Sequence, residues 1–137
     1  MIDLNINAQD FEEFAKHIVD IVGGIEAVNE DVAKTIRSLV MGRTPVDTGD
    51  LKRSWSQLQK NDGGFSFSNE MPYANILEEG WENRKVGPRT VRQGNRIYSR
   101  QAPGGMAGPV MDDESLISRI AEKVIQELAK GIDNAAP

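Results

Sequence analysis

The chain has 137 residues, 39% hydrophobic and 27% charged, with a formal net charge of −5; this composition predicts one soluble domain over residues 1–137 and excludes a disordered acidic tail or a membrane-embedded chain. The absence of cysteine and the single histidine, His17, exclude disulfides, thiolate zinc sites, thiol nucleophiles and any site needing two imidazoles, and fit a reducing, cytosol-like compartment. No basic start followed by an apolar run marks a signal peptide or a membrane span, so no membrane partner is expected.

Asn7-Ala8-Gln9-Asp10 reads as a helix start, with Asn7 as cap and Asp10 near the positive end of the helix dipole. Phe11, Phe14, Ala15, Ile18, Val22, Ile25, Val28, Val32, Ile36, Leu39 and Val40 then recur at helical spacing, and Gly42 and Pro45 predict a stop near Met41. About 33 helical residues would make a rod of ~50 Å, against a radius of gyration of ~14 Å for a compact domain of this length. Either Gly23-Gly24 bends the rod or its end protrudes to meet another molecule.

Asp47 or Thr48 is placed to cap a short helical turn that leads Leu51 toward the core. Ser54–Lys60 and Phe65–Asn69 predict paired strands about the turn Asn61-Asp62-Gly63-Gly64, with Phe65 and Phe67 on one face. Pro72 introduces a short helix, Tyr73–Glu79, that ends at Gly80 and is followed by Trp81.

Residues 82–111 are rich in Gly, Pro and Arg and predict an extended arm or long loop, with a small hairpin of Thr90–Arg92 and Arg96–Ser99 about Gln93-Gly94-Asn95. Within 84–111, Arg84, Lys85, Arg89, Arg92, Arg96 and Arg100 meet no acid, whereas the rest of the chain carries 10 basic against 21 acidic residues, a +6 segment on a −11 body. Such a segment suits nucleic acid, an acidic surface on another copy, or a solvated loop. Asp112-Asp113-Glu114 opens a last helix whose Leu116, Ile117, Ile120, Ala121, Val124, Leu128 and Ile132 form an apolar stripe. The fold class is therefore α+β: a long N-terminal helix and a C-terminal helix packed on a small antiparallel sheet, with an extended basic arm.

No catalytic constellation emerges from the residue types. His17 lacks a second imidazole, Asp47 and Asp50 lack calcium-loop spacing, and adjacent Glu78 and Glu79 point about 100° apart on a helix, so one of them pairing with an arginine is the simpler account. Ser54, Ser56 and Ser99 have no local base, and the glycines of Ala102–Pro109 lack the lysine and hydroxyl of a phosphate loop. No metal, cofactor or enzymatic activity is expected.

Two segments carry a resemblance. Thr44-Pro45-Val46-Asp47-Thr48-Gly49-Asp50-Leu51-Lys52-Arg53-Ser54, followed by Pro72-Tyr73-Ala74 and Leu77-Glu78-Glu79-Gly80, resembles the "P-x-D-T-G-x-L-x-x-S" and "Y-A-x-x-x-E-x-G" signatures of tailed-bacteriophage tail-completion and head-tail joining (neck) proteins. The resemblance implies a non-enzymatic structural protein of the virion, present in the host cytoplasm during assembly. It would form a homo-oligomeric ring of six subunits around the DNA channel at the head-tail junction, against adjacent neck and tail proteins. Asp47, Thr48, Gly49, Leu51 and Ser54 match the first signature, and Tyr73, Ala74, Glu78 or Glu79, and Gly80 the second. Read physically, these are structural positions: Asp47 or Thr48 as cap, Gly49 in a tight turn, Tyr73 and Leu77 docking the short helix on the sheet. Closed rings need complementary surfaces, so Arg84, Arg89, Arg92, Arg96 and Arg100 are expected to contact a neighbouring subunit or ring, with DNA in the channel a secondary contact. The alternative is a small nucleic-acid-binding module using the arginine-rich segment 84–100.

Overall fold

The computed structural model describes residues 2–7, 25–47, 49–62 and 64–135. In chain order the elements are β1 (Ile2–Asn7), α1 (Ile25–Arg43), α2 (Asp50–Arg53), β2 (Gln59–Asn61), β3 (Gly64–Asn69), α3 (Ala74–Glu79), β4 (Thr90–Gln93), β5 (Arg96–Ser99), α4 (Gly108–Met111) and α5 (Glu114–Ala135). The α+β class is as expected. The part of the expected long helix over residues 8–24, with His17 and Gly23-Gly24, lies outside the described residues, as does Thr48; of the expected helix start at Asn7–Asp10, only the backbone of Asn7 is described.

That backbone belongs to a strand, not to a helix cap. β1 pairs antiparallel with β3, placing Ile2 opposite Asn69, Leu4 opposite Phe67 and Ile6 opposite Phe65. Ile2, Leu4 and Ile6 alternate with Asp3, Asn5 and Asn7, the period-two pattern of a half-buried strand. β3 is the central strand of a three-stranded antiparallel sheet of order β1-β3-β2. Its residues alternate between half-exposed serines and buried Phe65, Phe67 and Asn69, so the sheet has one apolar face.

The predicted hairpin forms with a shorter first strand. Ser54 closes α2, donating its backbone N–H to Asp50 O and Leu51 O, and only Trp55 bridges to Asn69 before β2 begins at Gln59. From Trp55 to Gln59 the chain takes four steps while the partner takes three, from Asn69 to Ser66, so the edge side carries one extra residue. Asn61 then pairs with Gly64 across the turn.

α1 covers the apolar face of this sheet, and α5 packs on α1 within the same core. Val28, Val32, Ala33, Ile36 and Val40 bury one stripe of α1, while Leu39, counted in the same apolar repeat, remains 38% exposed because it points off that stripe. On α5 the buried residues are Ile117, Ile120, Ala121, Val124 and Ile125, with Leu116 and Leu128 packed against them. α1 runs through Gly42 to Arg43. Its end is set by Thr44, whose hydroxyl donates to Val40 O at 2.9 Å, and by Pro45, which cannot supply the next N–H.

The segment 82–111 is not an extended arm. The expected hairpin forms, with β4 and β5 paired antiparallel from Thr90↔Ser99 to Gln93↔Arg96. Beyond it the chain folds back into the molecule, burying Ala102, Met106, Ala107 and Val110 in the main core. Apolar side chains at these four positions gain more from burial than a solvated arm would allow, and small residues between them let the backbone approach closely.

A buried polar relay ties the end of α1 to the sheet. Trp55 Nε1 donates to Thr44 Oγ1 at 2.9 Å, and the Trp55 ring stands edge-on to Phe67 with centroids 5.5 Å apart. Thr44→Val removes the acceptor of a buried indole N–H and is expected to cost about 1–3 kcal/mol. In a urea-unfolding cycle with Trp55→Phe, the two substitutions should couple by at least ~0.5 kcal/mol. Strictly additive losses would show that the bond contributes nothing.

Candidate docking groove

The first signature segment begins at the buried end of α1 and emerges at the surface. Val46 N–H donates to Gln101 Oε1 at 2.9 Å, which tethers this loop to the residues after β5. Asp47 is exposed and does not cap α2. The N-cap position is Gly49, at φ +87°, and it offers no side-chain oxygen; a Cβ there would lie 2.7 Å from Arg53 Nη1. The first turn is held instead by Arg53 N–H donating to Gly49 O, by the 2.6 Å Asp50–Arg53 ion pair, and by Ser54 Oγ donating to Asp50 O. Leu51 is buried as predicted, and its carbonyl accepts from the fully buried Asn69 side chain at 2.9 Å.

The second segment uses Ala74, not Tyr73, to dock its helix: Ala74 is fully buried, whereas Tyr73 is 43% exposed. Leu77 packs against the core from the next turn. Gly80, at φ +83°, ends α3 so close to β5 that a Cβ would lie 3.0 Å from both Ile97 O and the Tyr98 ring. Trp81 is then locked beside β5 by two backbone bonds with Ile97, of 2.8 and 2.9 Å.

Glu78 does not pair with an arginine. Its Oε1 accepts from Met106 N–H at 3.1 Å and Ala107 N–H at 2.7 Å, and its Oε2 from Gly108 N–H at 2.9 Å. Between the two adjacent glutamates it is therefore Glu78 that is built into the fold, while Glu79 is exposed. From the other side Arg43 donates to Pro103 O at 2.7 Å and to Gly105 O at 3.0 Å. Carboxylate on amides and guanidinium on carbonyls together satisfy the backbone of the glycine-rich loop. Gly105, at φ +110°, lies against this carboxylate: a Cβ there would overlap Glu78 Oε2 and stand 2.6 Å from Glu78 O. Arg43 was absent from the expected site residues. Its basic charge in the last helical turn was visible, but its loop partners lie 60 and 62 residues away.

The two signature segments meet at an open groove of about 770 Å³. Val46, Asp47, Gly49, Asp50 and Leu51 line it from the first, Tyr73 and Leu77 from the second, with Trp81 beside them. Of the five arginines assigned to contacts, Arg84, Arg89 and Arg100 also line this groove. The Arg84 guanidinium lies over the Trp81 ring at 4.3 Å from its centroid. Arg89 O accepts from Arg100 N–H at 2.9 Å, which keeps these two residues adjacent. The other two lie elsewhere: Arg96 is 3.1 Å from Glu82, and Arg92 is exposed on β4 outside the groove.

The hydroxyls considered as nucleophiles have ordinary structural contacts. Ser54 bonds to Asp50 O, Ser56 Oγ donates to Gln57 O and accepts from Ser68 N–H, and Ser99 Oγ accepts from Gln101 N–H. Among the described residues no group of three or more His, Cys, Asp or Glu is placed to hold a metal ion. Among the same residues no helix is long and apolar enough to cross a membrane.

The loop contacts distinguish the neighbouring glutamates by experiment. Glu78→Gln turns one acceptor oxygen into an NH₂ group facing a backbone N–H and should destabilise the fold by about 1–3 kcal/mol in urea unfolding. Glu79→Gln should stay within about 0.5 kcal/mol of the parent. Equal effects would remove Glu78 from the loop anchor.

In comparisons with protein-family models, curated proteins and solved structures, no match to this chain was found.

Proposed function

We propose that the chain is a structural protein of the tailed-phage neck or tail, acting in tail completion or head-tail connection as a homo-oligomeric ring, six-fold by the resemblance, around the DNA channel. The observation that supports this reading most directly is the convergence of both signature segments on one exposed groove. Two signature side chains there, Asp47 and Tyr73, are turned outward. Tyr73 is 43% exposed and its neighbour in the groove, Val46, 51% exposed. An exposed aromatic beside an exposed aliphatic, rimmed by arginines, has the composition of a protein contact surface. The buried signature residues Leu51 and Ala74 hold the two outward segments in place.

The second reading, a nucleic-acid-binding module, draws support from the Arg84–Trp81 stack and from two further arginines in the same groove. Asp47 lines that groove too, and its carboxylate repels a polyanion, while Asp50 beside it is paired with Arg53. The ring reading therefore takes precedence, with the virion as the site of action and no cofactor.

Particles assembled without this protein should accumulate as unjoined heads and tails in electron micrographs. Normal, infectious, fully joined virions would sink the proposal. If the protein is instead a nucleic-acid module, it should bind mixed-sequence duplex DNA with an affinity that falls steeply as salt rises.

A further inference from the structure

We infer that the groove between the two signature segments takes the acidic run Asp112–Glu114 of a second copy of this chain. The inference rests on the ring reading above and names the contact that would close the ring.

The groove presents three arginines beside an apolar floor. Neither Arg89 nor Arg100 has a carboxylate partner among the described residues, and Arg84 lies over the Trp81 ring. A rim of this kind takes carboxylates, and guanidinium groups bind them with defined geometry. Among the described residues, Asp112-Asp113-Glu114 is the one run of three consecutive acids, and all three are exposed. Asp113 uses Oδ1 to accept Leu116 N–H at 3.0 Å at the start of α5, which fixes the run against a rigid helix instead of leaving it on a loose tail. Less conformational freedom is then lost on docking.

The sign pattern favours this occupant over a nucleic acid. The groove has Asp47 on the same lining as its arginines, while Asp50 beside it is already paired with Arg53. α5 offers the matching pair of signs: acids at its start and, five residues after Glu114, exposed Arg119. A uniform polyanion would satisfy the arginines and be repelled by Asp47, whereas an element carrying both signs can satisfy both. Groove and acidic run are different surfaces of one chain, so their contact is heterologous, and repetition of a heterologous contact closes a ring when its rotation allows.

The test is charge reversal with rescue in the full chain, read by sedimentation velocity and native mass spectrometry at fixed salt. Arg89→Glu with Arg100→Glu should weaken self-association at least roughly tenfold, and Asp112→Lys with Glu114→Lys should do the same. Asp113 is kept because it caps α5. The four substitutions together should restore association to within about tenfold of the parent, because each interface then again joins opposite charges. Thermal melts of all variants, expected to stay cooperative with only the small loss that lysine at the start of α5 brings, separate loss of contact from loss of fold. Parent rings whose arginine variant assembles normally, or whose combined variant is not rescued while still folded, overturn this docking and leave the neck reading standing. A parent chain that stays monomeric at every concentration overturns the second-copy occupant, as does tight duplex binding abolished by the arginine pair. Failure of the neck reading itself appears separately, as fully joined virions in the absence of the protein.

Discussion

The Glu78 carboxylate is the contact on which the placement of the glycine-rich loop depends. It accepts three consecutive backbone amides, Met106 to Gly108, while Arg43 from α1 takes the carbonyls of Pro103 and Gly105. A glycine-rich loop has too little side-chain surface to hold itself down, and its buried amides and carbonyls need partners. One acid and one base, from two different helices, provide them. The glycine at 105 is required by the same contact, since a Cβ would occupy the place of the carboxylate.

With the loop held, its flanks acquire fixed positions. On one side α4 delivers Val110 to the core and leads into α5. On the other, the β4–β5 hairpin is pinned through Trp81 to the end of α3. The groove forms between that hairpin, the end of α3 and the Pro45–Leu51 loop, which Gln101 tethers to the residues after β5. Its walls thus come from three stretches of chain that share no local contact, and their relative placement follows from the loop anchor and the close packing of Gly80 on β5.

This architecture also divides the basic segment. A run of six positive charges without an acid looks uniform in sequence, yet folding gives its members different surroundings. Arg96 is paired with Glu82, Arg84 stacks on Trp81, and Arg89 and Arg100 face the groove. A half-exposed ion pair such as Arg96–Glu82 adds little stability. Its consequence is to take one arginine out of the set available to a partner.

The sequence by itself determined the elements whose signals are local. Helical spacing of apolar residues marked α1 and α5, the Asn-Asp-Gly-Gly turn marked the β2–β3 hairpin, and Gln-Gly-Asn marked β4–β5. β1 was legible too, in the alternation of Ile2, Leu4 and Ile6, but Asn7 and Asp10 matched a helix start and that competing local pattern masked it. Only the tertiary structure decided that 102–110 is core instead of arm, that Glu78 binds amides instead of an arginine, that Tyr73 faces out, and which arginines share the groove with Asp47. Each of these depends on groups far apart in the chain, as with Arg43 and the carbonyls 60 and 62 residues beyond it. Local propensity and periodicity report on neighbours within a turn or a strand, whereas the partner of a buried charge is chosen by where the packed core leaves unsatisfied backbone.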